Sequence, residues 1–191
     1  MKNLIFALSV ALAATLSAES KYAVVDMLVL VRNHASYDTN KELLLSTEKN
    51  CNKRVDAFKK ELEKIQAEGK KLSDEYRNPM LSSAAKKKIE EDLQNVQQEY
   101  FTVQQRLRNE MLNAQRELQD LEQVILKKQT QDIRSKVSEL AKKEGYALVL
   151  DLNGAVYFDD ACNLTDRVLE MMGVDPKKAK NPRESENNEG K

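Results

Sequence analysis

The chain has 191 residues, with 31 basic side chains balanced by 31 acidic ones. A net charge of zero argues against a general nucleic-acid or membrane-surface binder, which needs a sustained field of one sign. Five glycines, three prolines and no tryptophan, in a sequence 32% charged, fit long helices with few turns rather than one compact globule.

Residues 1–20 read as an export signal. Lys2 supplies the positive start, and Leu4 to Leu16 form an apolar run of signal-peptide length, short of the roughly 20 residues a membrane span needs. Ala18 and Ser20 offer small residues for cleavage. The remainder is expected to be soluble outside the cytoplasm.

Tyr22 to Met27 reads as a first strand. Residues 34–39 are polar, and Thr39 or Asn40 is placed to cap a helix. From about Asn40 to Arg77 an apolar seam steps by threes and fours through Leu44, Thr47, Cys51, Val55, Phe58, Leu62, Ile65, Gly69, Leu72 and Tyr76, the heptad signal of a coiled coil. Asn78-Pro79 ends that helix, because the residue before proline is pushed out of helical geometry. A second helix, from about Ser83 to Lys143, carries a matching seam from Ile89 through Val96, Val103, Leu107, Met111 and Ala114 to Ile125. At 1.5 Å per residue it would be on the order of 90 Å long. Each seam holds two consecutive four-residue steps, at Thr47–Cys51–Val55 and at Val103–Leu107–Met111. Folding about Pro79 brings them to nearly one level, so the two helices are expected to form one antiparallel hairpin.

Gly69 lies on the seam, either as a flex point of the arm or as a close approach to a bulky neighbour. Lys70, Lys71 and Arg77 precede the apex, and Lys86, Lys87 and Lys88 follow it. They read either as a basic tip that attracts anionic lipid or acidic segments, or as a solvated helix end compensated by Asp74, Glu75 and Glu90 to Asp92; the second reading is the simpler. Gly145 suits a helix C-terminus. Tyr146 to Leu152, Asn153-Gly154 and Ala155 to Phe158 read as a hairpin, since Asn-Gly favours a two-residue turn with positive φ. Asn163 is placed to cap a short last helix ended by Gly173. Residues 174–191 hold two prolines and many charges, and are expected to be disordered.

The domain plan is thus a signal at 1–20, a β-containing body from 21–39 and 144–173, a helical hairpin at 40–143, and a tail. The body is small enough to need oligomerisation for stability. His34 reads as a loop residue and Asn163-Leu164-Thr165 as a chance sequon. No constellation for catalysis, metal or cofactor binding is recognisable, nor a glycine-rich phosphate loop, so the protein is expected to be neither an enzyme nor ATP-driven. Cys51 and Cys162 are either two buried thiols or, in an oxidising compartment, a disulfide.

Tyr22-Ala-Val-Val-Asp-Met27, Leu148-Val-Leu-Asp-Leu-Asn-Gly-Ala-Val-Tyr157 and Asn163-Leu-Thr-Asp-Arg-Val-Leu169, flanking a charged helical hairpin, resemble the Skp (OmpH) periplasmic chaperones. The resemblance implies an α+β jellyfish-like homotrimer. Its body would be held by Val24, Leu148, Leu150, Val156 and Phe158, with hairpin arms around a cavity for unfolded outer-membrane β-barrel proteins. Well-known members of that family are strongly basic, whereas this chain is balanced. A coiled-coil scaffold of the envelope is the alternative.

Overall fold

The computed structural model describes residues 21–182; the expected signal at 1–20 and residues 183–191 lie outside them. The elements in order are β1 (Lys21–Val25), α1 (Met27–Arg32), α2 (Tyr37–Tyr76), α3 (Ser83–Glu144), β2 (Tyr146–Asp151) and α4 (Thr165–Met171), with two 3-10 turns between β2 and α4 and one after α4. They divide into two units: an arm, Ala35–Gln129, and a body whose described residues are 21–34 and 130–182. The body therefore includes the last turns of α3, which the sequence placed in the hairpin.

In the arm, α2 and α3 run antiparallel. Cys51 Sγ lies 4.0 Å from the Ala114 carbonyl, Gln66 donates to Tyr100, and Tyr76 donates to Glu90. These pairs share one register, whose pivot falls between Ser82 and Ser83. The fold about Pro79 is thus corrected: Cys51 faces Ala114, about two turns beyond the neighbourhood of Arg108. Asn78 and Pro79 still stop α2, with the Met80 amide donating to Asn78 Oδ1, and Ser82 Oγ caps α3 through the Ala85 amide. The α2 seam is the expected one, every member being buried or half-buried. On α3 Met111 is 52% exposed, and the half-buried Glu110 takes the seam position instead. The paired four-residue steps on α3 therefore centre on Ala114, directly opposite Cys51, where those on α2 centre. Two such insertions at one level keep facing seams in register while unwinding the supercoil locally.

Gly69 continues α2 without a break, and a Cβ built on it would stand 3.3 Å from Val96 Cγ1. Alanine removes the glycine penalty of roughly 1 kcal/mol, and the atom its Cβ would meet is the end of a half-buried valine side chain rather than backbone. Gly69→Ala is expected to raise the arm's stability by less than about 1 kcal/mol, and Gly69→Leu to lower it by about 1–3 kcal/mol through overpacking. Thermal melts followed by far-ultraviolet circular dichroism test both signs.

The body has one core, formed by Ala23, Val25, Val29, Leu30, Ile133, Leu140, Leu164, Val168 and Leu169. β1 and β2 pair in parallel, Tyr22 opposite Leu148 and Val24 opposite Leu150, and Val24 also bridges to Asn163. The expected hairpin after β2 is not formed. Leu152–Gly154 closes a 3-10 turn in which Gly154 lacks positive φ, and 155–158 pairs with no strand among the described residues. Asp151 decides this locally, its Oδ1 accepting the Asn153 amide. Gly145 (φ 74°) and Gly173 (φ 80°) do end α3 and α4 in the left-handed region, as the sequence indicated.

Disorder from 174 onward is also corrected for the described part. Val174 and Ala179 pack on the core, Pro176–Lys178 forms a turn, and the Lys180 backbone exchanges hydrogen bonds of 2.8 and 2.9 Å with the Asn33 side chain.

His34 contacts Asp132 at 2.9 Å within the body, and this contact holds the Asp132 carboxyl below its ordinary value of 3.8. A depressed carboxylate stabilises above its unfolded value, and the contribution drains away as pH falls through the lowered one. Asp132→Asn is therefore expected to cost a small amount of stability at pH 7 and none in strong acid, in melts compared across pH. The effect is small because the Asp132 side chain is 57% exposed.

Candidate functional site

No cluster of three or more His, Cys, Asp or Glu side chains suited to a metal occurs among the described residues, and no helix there is long and apolar enough to cross a membrane. What the structure offers instead is surface.

In the body, paired residues of a parallel sheet share a face. Tyr22, Leu148 and Leu150 thus lie on the face that also carries Val24. Val24 is buried by its own chain, but Tyr22 is 61% exposed and both leucines 46%. Beyond the sheet, Val156 and Tyr157 are exposed almost as in an extended chain, and Phe158 is half-buried. β2 pairs only with β1 among the described residues, leaving its other edge open. A groove of about 470 Å³ runs alongside, lined by Val25, Met27, Val137, Ala141 and β2 itself. Of the five residues expected to hold an assembly, four are therefore at least partly accessible and one is already spent in the core.

The expected basic tip is interleaved with acids. Arg77 lies 3.8 Å from Asp74, Lys70 and Lys71 share a shallow depression with Asp74 and Glu75, and Lys86 sits 5.8 Å over the Tyr76 ring. Tyr76 in turn donates to Glu90 at 2.6 Å, which raises its phenol above the ordinary range. Lys87 and Lys88 are exposed. Cys51 is buried in the arm and Cys162 half-buried in the body, both as free thiols.

The model of the family described as outer membrane protein (OmpH-like) matches residues 21–172. The chain belongs to the OmpH-like family. Its fold is that of an OmpH-like protein from Caulobacter crescentus assigned as an outer membrane chaperone, with a TM-score of 0.60 at 12% identity over 80% of this chain and 83% of that one. No curated protein matches the chain by sequence. At that identity the likeness speaks for the fold alone.

Two polar arrangements in this OmpH-like chain escaped the sequence. Asp26, 7% exposed, caps α1 by accepting the Leu28 and Val29 amides, while its own amide donates to Thr165 Oγ1 at 2.8 Å. Thr165 Oγ1 passes its proton's bond to Asn163 Oδ1 at 2.6 Å, and the Leu164 amide donates to the Val24 carbonyl. The first and last family motifs are thereby tied together. Asn163, expected as a helix cap, precedes the helix by two residues and accepts from the Thr165 amide. In the arm, Arg54 donates to Glu110 at 2.6 Å and to Glu117 at 2.5 Å, clasping α2 to α3 beside Cys51. Glu110 first, then Glu117, hold its guanidinium still more firmly protonated than usual.

Proposed function

We propose that this OmpH-like protein is an ATP-independent holdase of the periplasm. In this reading three copies assemble through their bodies, and unfolded outer-membrane β-barrel segments are held among the arms until insertion. The observation that supports it best is the uncovered apolar sheet face of the body, Tyr22, Leu148 and Leu150, with the exposed Val156 and Tyr157 beyond it. Monomeric soluble proteins rarely leave such residues together in water, and a body this small gains most from covering them with copies of itself.

The physics suits a holdase. Unfolded barrel strands expose edges and apolar faces that aggregate. Contacts from three linked arms gain avidity without any single tight site, so release needs no nucleotide. The interleaved charges at the arm's end favour a solvated tip over tight lipid capture, leaving at most weak contact with an anionic membrane surface.

The test is to dilute a urea-denatured outer-membrane barrel protein into buffer and follow turbidity. Suppression is expected to be near complete at one trimer per client. Unchanged turbidity would replace the holdase with the coiled-coil scaffold of the envelope.

A further inference from the structure

Most exposed positions of α2 between Lys53 and Glu75 carry charge. One line along α3 does not. Gln94, Gln97, Gln105, Gln115, Gln119 and Gln123 recur at helical spacing and all are exposed. Among them, on the same line, stand Phe101, Leu112 and Leu126, exposed by 55, 47 and 53%. Arg108 is the one charge on the line itself, and the exposed Arg116 and Glu122 flank its far half. At 1.5 Å per residue this neutral stripe extends on the order of 50 Å. It faces away from the Val103 and Ala114 seam, so packing within the arm does not account for it. At one end a groove of about 560 Å³ opens beside Phe101, between Gln94, Gln98, Gln105, Arg106 and Asn109.

We infer that this stripe is the face of the arm that contacts unfolded polypeptide. The inference rests on the holdase reading and says where that activity resides. The occupant follows from the chemistry of the stripe. A primary amide both donates and accepts, so it can bond a peptide N–H or C=O in any sequence. None of the six glutamines is bonded to another side chain among the described residues, and their capacity is unspent. A stripe so sparsely charged, with Glu122 and Arg116 only at its margin, selects clients little by charge. The spaced Phe101, Leu112 and Leu126 give apolar anchorage that the amides cannot, and the groove beside Phe101 has room for one client side chain.

A second copy of the arm is the weaker occupant. Steps of three and four could in principle make a second coiled-coil seam, but a stable seam needs apolar residues at both repeating positions, and a polar residue at even one lowers stability. Here six positions are glutamine. Contacts on such a face are individually weak and quickly exchanged, which suits a protein that must let its client go.

The experiment uses the full-length exported chain with p-benzoylphenylalanine placed singly at position 101, at 99 and at 59. Glu99 and Lys59 are exposed positions off the stripe. Each protein is irradiated with a denatured barrel protein, and the same preparations are run in the turbidity assay. Crosslinks to client at least five-fold stronger from 101 than from 99 or 59 are expected. The doubly charged variant Gln97→Glu with Gln105→Glu is expected to halve the suppression, or more, at unchanged helicity. Equal crosslinking at all three positions, crosslinks from 101 to a second copy alone, or a fully active charged variant would overturn the stripe while leaving the holdase standing. No suppression and no crosslinks from the unaltered sequence would remove both.

Discussion

Ile133→Ala is expected to destabilise the body by about 3–4 kcal/mol while leaving the arm folded. Ile133 is fully buried among Leu30, Leu140, Val168 and Leu169, and truncating such a residue costs both the transfer of its lost methyls and the cavity they leave, about 2–5 kcal/mol. The body's small core makes that a large share of its total, since whole domains are stable by only about 5–15 kcal/mol. The arm has its own buried residues, Cys51, Ile65, Val103 and Ala114, none of which belongs to that cluster. Hydrogen exchange followed by mass spectrometry separates the two. Amides of β1 and α4 should lose most of their protection, and those of residues 50–115 should keep theirs. Ile133→Val should cost about 0.5–1.5 kcal/mol at the same site. Uniform loss across both units would show that they unfold together.

The arm was legible in the sequence because its signal is local and repetitive. Every member of the α2 seam, from Leu44 to Tyr76, could be identified from three-and-four spacing alone. The reading slipped where the seam stopped being apolar: Glu110 takes a core position by pairing with Arg54 on the other helix, and Met111 beside it looked the better candidate. The pivot slipped because proline marks where a helix must stop, whereas register is set by which seam residues meet.

The body was less legible because its contacts span the chain. Asp26 fitted the alternation of a strand, but its carboxylate caps α1 and its amide reaches Thr165, 139 residues away. Asn33 and Lys180, 147 residues apart, order a segment whose own composition argued for disorder. Asn153-Gly154 carried a strong hairpin signal, yet Asp151 engages the Asn153 amide in a different turn. The alternating residues after it, Val156 and Phe158, still have the pattern of a strand but pair with none among the described residues.

The proposed assembly through the body gives the second large effect. Leu150→Asp combined with Val156→Asp is expected to convert an assembled protein to single chains at micromolar concentration, with the arm's helicity intact. Burying one leucine or valine contributes about 1.5–3 kcal/mol. An aspartate in its place adds the cost of dehydrating a charge or forces water into the contact. Losing even 4 kcal/mol per interface weakens association by about three decades, and in a closed ring each copy contributes two such interfaces. Light scattering coupled to gel filtration reads the mass directly. Val124→Asp, an equally polar change at an exposed arm residue off the neutral stripe, should leave the mass unchanged. Turbidity suppression should fall with the assembly, because a single arm keeps its contacts but loses the effective concentration that linkage provides. Full suppression by a protein shown to be monomeric would mean that the arm holds its client alone. A doubly substituted protein that kept the assembled mass would show that the exposed sheet face is not where the copies meet.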